Sequence, residues 1–269
     1  MKEKDSKTIW QVPKYLPYVQ PNLTDEVLRA AETQLGYKLP QEYIDILKIQ
    51  NGGYIRFTIK EIAHREIFGI GPYFPSITDC DWSAYKEYVS FELKGLIPFD
   101  GDGHWYICFD YRKNETIPQI TFIDTECDLE RTIANNFHDY LQLLEIDTED
   151  EYVIETNDTL DEILNHLSKI LKITFEEPDY CAHGYPEYKA EFEGSYVWIS
   201  PNKAPSGFIR EEDSRYEELK SLMDTTSLRF PELSENALLI SVSDENERTM
   251  FFEELIASGI KIRQLKEFV

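Results

Sequence analysis

Asp100, Asp102 and His104 place three oxygen or nitrogen donors within the five residues Asp100-Gly101-Asp102-Gly103-His104. Such a cluster suits a divalent cation, and through it a metal-dependent enzyme, if further ligands come within reach. An EF-hand loop opening at Asp100 would need glycine where Trp105 stands and a bidentate glutamate where Tyr111 stands, so that geometry fails. Cys108 and Asp110 follow on the same strand face, but four residues at ~3.4 Å each hold Cys108 about 13 Å from His104. They cannot share one metal. The same five residues also spell a hairpin turn, in which glycine supplies positive φ and aspartate bonds nearby backbone.

His183 lies two residues after Cys181 in Asp179-Tyr180-Cys181-Ala182-His183-Gly184-Tyr185. A lone Cys-x-His pair lacks two ligands for zinc, and a tyrosine-rich surface loop accounts for it. His64, His138 and His166 stand singly and read as ordinary histidines. No Gly-x-Ser-x-Gly elbow, Gly-x-x-x-x-Gly-Lys-Ser/Thr loop or His-Glu-x-x-His is present. With 51 acidic residues, a nearby carboxylate pair carries little meaning for general acid–base work. The expectation is no catalytic residue, no metal and no cofactor.

Charge is more informative. The chain carries 51 acidic against 27 basic residues, a net −24. Residues 1–150 hold 26 acidic and 15 basic (−11), and residues 151–269 hold 25 and 12 (−13), so both halves share it. Such a field repels nucleic acid and anionic membrane and attracts cationic proteins, although acidity also serves solubility alone. One local pattern stands out: Asp124, Glu126, Asp128 and Glu130 alternate through Asp124-Thr125-Glu126-Cys127-Asp128-Leu129-Glu130. If extended, they form a row of carboxylates for a partner's Lys and Arg; if turning into a helix, they crowd its positive end. Glu211, Glu212, Asp213, Glu217 and Glu218 make a second block that reads as a solvated helix face.

The elements that hold these residues follow from periodicity. Thr24 with Asp25 and Glu26 marks a helix start, Val27, Leu28, Ala31 and Leu35 its apolar face, and Gly36 its stop. Pro40 reads as the first residue of a second helix, buried through Tyr43, Ile44 and Leu47 and closed by Asn51-Gly52-Gly53. Strands are expected at Tyr54–Ile59, Leu96–Phe99, Trp105–Tyr111 and Gln119–Asp124, with loop at 69–81. Ile133, Phe137, Tyr140, Leu141 and Leu144 then predict a closing helix.

Two of these stretches carry a resemblance. Leu39-Pro40-Gln41-Glu42-Tyr43-Ile44-Asp45-Ile46-Leu47 ending at Asn51-Gly52-Gly53, followed by Gly95-Leu96-Ile97-Pro98-Phe99-Asp100-Gly101-Asp102-Gly103-His104-Trp105-Tyr106-Ile107-Cys108-Phe109-Asp110, resembles the SUKH superfamily. That superfamily joins the Smi/Knr cell-wall (glucan) assembly regulators to bacterial immunity proteins that neutralise toxins. The resemblance implies a helix–helix–meander–helix fold from Thr24 to about Leu144. It also implies structural roles for Asn51, Gly52, Gly53, Gly101 and Gly103, and partner contacts for Asp100 and Asp102. It further implies a non-catalytic binding module. The leading expectation is an immunity protein that occludes a basic, nuclease-type toxin domain. A regulatory scaffold for cell-wall synthesis is the alternative.

The fold class expected is α+β: a SUKH-like meander sheet packed by helices over residues 1–147, and a second small α+β domain over 148–269. The acidic connector Glu145-Ile146-Asp147-Thr148-Glu149-Asp150-Glu151 sets the seam. Beyond it, Leu160, Ile163, Leu164, Leu167, Ile170 and Leu171 predict an amphipathic helix. Strands are expected at Lys172–Phe175, Lys189–Glu193 and Tyr196–Ser200, and a helix around Tyr216–Met223. Strand Ala237–Val242, helix Glu247–Ser258 with Phe251, Phe252, Leu255 and Ile256 on one side, and a last strand from Ile260 suggest a βαβ unit. Cys80, Cys108, Cys127 and Cys181 are too scattered for a disulfide framework, so reduced thiols are expected. The start lacks an apolar leader and no apolar run reaches membrane length, so a cytoplasmic protein is expected, with neither nucleic-acid nor membrane partner.

Overall fold

A computed structural model describes residues 9–60, 62, 65–148, 151–180, 183–223 and 225–269, without the side chains of 245–247. The chain divides into two units, Met1–Asp147 and Thr148–Val269. Both combine helices with antiparallel sheet, an α+β fold.

In the first unit α1 (Asp25–Leu35) starts at Thr24, whose Oγ1 accepts from Val27 N at 3.2 Å, and stops at Gly36 with φ +81°. Its inner face is Ala31 with Leu28 and Leu35; Val27, expected there, is exposed. α2 (Gln41–Ile49) begins one residue later than expected, with Pro40 as its cap, and buries Tyr43, Ile44, Ile46 and Leu47. Asn51 explains the abrupt exit that follows. Its Nδ2 donates to the carbonyls of Pro21 (2.6 Å) and Ile70 (2.8 Å), and its Oδ1 accepts from Ile70 N (2.9 Å). A Cβ on Gly52 (φ +89°) would lie 2.6 Å from Gly69 N, so the two loops touch only because both residues are glycine.

The single strand expected over Tyr54–Ile59 is broken. β1 (Gly53–Tyr54) and β2 (Phe57–Thr58) take different partners: β1 pairs with β3 (Glu66–Ile67), and β2 with Glu145–Ile146. Four longer strands follow in sequence order: β4 (Leu96–Gly101), β5 (Trp105–Asp110), β6 (Gln119–Asp124) and β7 (Leu129–Ala134). β7 corrects the sequence reading, which carried the closing helix back to Ile133. α3 (Phe137–Leu143) begins only after Asn136, whose side chain accepts from Asp139 N at 2.8 Å, and β8 (Glu145–Ile146) ends the unit.

The meander is covered on both faces, as the period of two in β5 requires. Trp105, Ile107, Phe109 and Tyr111 face the helices, where Tyr43, Phe99, Phe137 and Tyr140 join them in an aromatic core. Tyr43 stands edge-on to Phe109 with centroids 5.1 Å apart, and its hydroxyl donates to Phe68 O at 2.5 Å. Tyr106 and Cys108 face the other way, under Trp82, Tyr85 and Leu93 of the segment before β4.

In the second unit β9 (Tyr152–Ile154) leads into α4 (Leu160–Leu171). A reciprocal cap between Thr159 and Glu162 starts that helix, and Ile163, Leu164, Leu167 and Leu171 are buried. Lys172, at φ +54°, turns the chain out of the helix, and the strand expected at Lys172–Phe175 does not form. β10 (Tyr188–Phe192), β11 (Ser195–Pro201), β12 (Lys203–Pro205), α5 (Tyr216–Leu219), β13 (Thr226–Leu228), β14 (Leu238–Val242), α6 (Glu245–Ala257) and β15 (Ile262–Gln264) follow. The five-stranded sheet runs β10-β11-β14-β9-β15. β9 pairs antiparallel with both β14 and β15, so those two run parallel, joined through α6. The expected βαβ unit is thus a split one. Phe251 and Leu255 of α6 are fully buried, whereas Ile256, expected beside them, is 60% exposed.

Cys80, Cys108 and Cys127 are free thiols; Cys181 and His64 lie outside the described residues. Among the described residues no helix is long and apolar enough to cross a membrane.

Candidate protein-binding site

The acids singled out in the sequence fall into two places in the first unit. Asp100 and Asp102 line a cleft of about 760 Å³. The other four surround the β6–β7 turn, and they do not form a row. Asp124 Oδ1 accepts from Glu126 N (2.9 Å) and Cys127 N (2.8 Å), which closes that turn. Those bonds hold the Asp124 carboxyl below the usual carboxylate range. Asp128 takes φ +49° and accepts from Ser90 N at 2.6 Å. Glu126 reaches His104 Nδ1 at 2.8 Å, and Glu130 takes Arg112 Nη2 at 2.8 Å. Two of the four therefore serve the fold, and Glu126 and Glu130 are engaged by the side chains of His104 and Arg112. Neither the extended row nor the helix N-terminus forms, because residues 125–128 are a tight hairpin turn.

The cleft is built by loop closure. Pairing of β1 with β3 sets Glu66 opposite Tyr54. The bend at the end of β4, where the register slips between Pro98 and Asp100, brings the Asp100-Gly101-Asp102-Gly103 turn to the same opening. Gly101 must be glycine, since a Cβ there would meet Tyr106 Cδ1 at 2.4 Å and Trp105 O at 2.5 Å. Asp100, expected as an exposed partner contact, is 1% exposed and accepts from Gly101 N at 2.9 Å. Asp102 is exposed, and its Oδ1 accepts from His104 N (2.9 Å) and Trp105 N (3.1 Å). His104 points to Glu126, away from a shared site with the two aspartates. Among the described residues no three of His, Cys, Asp and Glu are placed to hold a metal.

Glu66 is the cleft residue that the sequence reading missed. Its Oε2 is wholly buried with no hydrogen-bond partner, and burial, then Asp100 and Asp102, push its carboxyl up to about 8. The wall is aromatic: Tyr18, Tyr54, Phe68, Tyr85, Trp105 and Tyr106 contribute, and Phe74 is 73% exposed. Tyr85 and Tyr106 share a hydroxyl–hydroxyl bond of 2.9 Å, and burial, then that bond, raises the Tyr106 pKa. A carboxyl-floored, aromatic-walled cleft suits a cation with an apolar stem.

Behind the sheet, Asp110 is a structural charge. It is 2% exposed, grips Arg112 with both carboxylate oxygens and accepts from Thr121 Oγ1 at 3.0 Å. In the second unit, His183 stacks on Tyr185 with centroids 5.5 Å apart, and burial lowers its pKa. His138 and His166 are exposed on α3 and α4. Glu217 and Glu218 of α5 pair with Lys220 (2.6 Å), just after the helix, and Arg215 (2.8 Å), just before it; Glu211 and Glu212 are exposed but precede the helix.

The family described as SMI1 / KNR4 family (SUKH-1) matches residues 22–143, which include α1, α2, the whole meander and α3. The match over that part of the chain is consistent with the SUKH superfamily. No curated protein matches the chain.

Proposed function

We propose that the protein is a cytoplasmic immunity protein that captures a basic toxin domain, of the nuclease type, and covers its active site without chemistry of its own. One observation carries the reading: the SUKH family match lies within a chain of net charge −24. SUKH domains are generally non-catalytic immunity or scaffold modules. A nuclease presents cations to phosphates, so an acidic inhibitor gains fast encounter and a complementary surface. Acid is spread over both halves, which favours broad occlusion over a single anchoring loop.

Co-expression with the toxic product of the adjacent gene tests it. Survival together with a co-purifying complex supports the reading; survival without a physical complex, or no rescue, sinks it. The same family match also supports a regulatory scaffold for cell-wall synthesis. That second reading predicts association with a synthase complex and no rescue from any toxin.

A further inference from the structure

A lone exposed ring is ordinary on a protein surface; a framework built to fix one is not. Phe74, 73% exposed, stands in the 69–77 loop. The base of that loop is closed by the pairing of Gly69 with Ser76 and by Ile77 N, which donates to Gly69 O at 3.0 Å, while Ile70 and Ile77 root it in the core. Two buried amides fix its course. Gln20, 4% exposed, accepts from Tyr73 N at 3.1 Å, and its Nε2 donates to the carbonyls of Tyr73 and Pro75, the latter at 3.1 Å. Asn51, 3% exposed, takes Ile70 by both N–H and carbonyl, and its own backbone carbonyl accepts from Gln20 N at 2.8 Å, so the two clamps are joined. Gly71 is part of the fit, since a Cβ there would collide with Gln20 Oε1. Buried amides persist only where they are paired, and here their pairing fixes the backbone on either side of one apolar ring. Exposed Asp79, Asp81 and Asp102 border the same opening as Phe74.

We propose that Phe74 is a preformed anchor for the partner protein: its ring enters an apolar pocket on a basic surface, and the partner's Lys and Arg side chains around that pocket meet Asp79, Asp81 and Asp102. An anchor already held in place adds little ordering cost on binding, which is what separates a strong contact from a merely large one. Aromatic side chains are enriched at the centre of such interfaces, with a polar rim around them. The acidic rim selects a cationic partner and disfavours an acidic one. The inference deepens the proposed function by naming its contact, and rests on the binding half of that reading.

The test measures dissociation of the full chain from the basic product of the adjacent gene, with thermal melts of every variant. F74A should leave the melting temperature unchanged, because the ring makes little contact with its own fold, yet speed dissociation at least about tenfold, the size of an interface hot spot. F74L should fall between F74A and the wild type. Q20A keeps the ring but frees the loop, so it should weaken the complex as well. Y88A removes a ring that is 71% exposed outside this loop and should change nothing. Wild-type dissociation in F74A, an equal loss in Y88A, or a complex indifferent to Q20A overturns the proposal. If the wild type forms no complex with that product, the proposed function falls and this contact with it; a wild-type complex that ignores F74A overturns the contact alone.

Discussion

Asp110 grips Arg112 two residues along the chain, with Nε reaching Oδ1 at 2.9 Å and Nη2 reaching Oδ2 at 2.7 Å. The guanidinium continues to Glu130 on β7 and to the carbonyl of Glu92, so one arginine ties the end of β5 to the far strand and to the segment before β4. Burial alone would raise the Asp110 carboxyl, but hydrogen bonds from Arg112 and Thr121 outweigh it and hold it below its ordinary 3.8. A depressed carboxyl stabilises the fold above its unfolded value and loses that contribution as pH falls through the folded value. D110N should therefore cost about 3 kcal/mol at neutral pH, the cost of stranding one partner of a buried pair. It should also flatten the acid limb of the stability curve. Urea melts of both proteins between pH 2 and pH 7 check both effects.

Glu66 should act with the opposite sign. Its ordinary value is 4.5 and its folded value about 8. Between those values the folded chain holds a proton that the unfolded chain has released. Its contribution is fully present below 4.5, falls as pH rises, and is lost through about 8. The groups that face it are Asp100, Asp102, Tyr54 across the strand pair and Arg65 beside it. E66Q should thus gain on the wild type from pH 5 to pH 8, by on the order of a few kcal/mol. Parallel melts across that window decide it; a constant difference between the two proteins would contradict the assigned burial.

Glycine substitutions should separate packing from backbone strain. Gly52 and Gly103 both have positive φ, +89° and +101°. A Cβ on Gly52 collides with the Gly69 backbone, whereas one on Gly103 meets nothing within 4 Å. G103A should cost about 1 kcal/mol, the left-handed backbone penalty alone. G52A should cost clearly more, because two backbones must part. Thermal melts rank them, and equal costs would mean that the 50–53 and 69–71 loops can separate freely.

The contrast between Glu66 and the helix stops shows what could be read from residues alone. Thr24, Gly36 and Asn51 announce helix ends because capping and left-handed geometry are local demands on residue type. The β5 alternation was equally plain, since both of its faces are buried by aromatic or apolar side chains. β7 was not: Leu129–Thr132 are exposed, so no apolar period marks them, and the acids before them suggested a helix start. The clearer sign was Asn136 with Asp139 three residues on. Glu66 had no signal at all, for it is one of 51 acids, and only the pairing of Tyr54 with Glu66 brings it to the Asp100 turn.

Limited proteolysis should cut between the two units, after β8, whose pairing with Phe57–Thr58 protects Glu145 and Ile146. A folded fragment of the first unit is expected, because its aromatic core is complete within residues 9–147. Circular dichroism and a cooperative melt of the fragment would check it. A fragment that fails to melt cooperatively would mean that the second unit is needed for folding.

The salt dependence of partner capture should follow the carboxylates that remain available, not all of the acidic residues along the β6–β7 turn. Asp124 and Asp128 are engaged by backbone N–H groups, so reversing them would disturb the turn before it altered steering. Glu126 is different. Its side chain is 68% exposed and reaches the similarly exposed His104, so Glu126→Lys changes the field without unmaking the fold. Screening at ~0.15 M ionic strength acts beyond about 8 Å, so long-range attraction fades with salt while close contacts persist. Stopped-flow association with the basic partner should therefore slow several-fold for Glu126→Lys at low salt, with little change in dissociation. The difference from wild type should vanish near 0.5 M salt. Glu211→Lys, on the exposed turn of the second unit, should slow capture less, because the reading places the recognition surface on the SUKH domain. An equal effect of the two reversals would move the partner's approach away from the meander edge. An on-rate indifferent to salt would remove electrostatic capture from the account altogether.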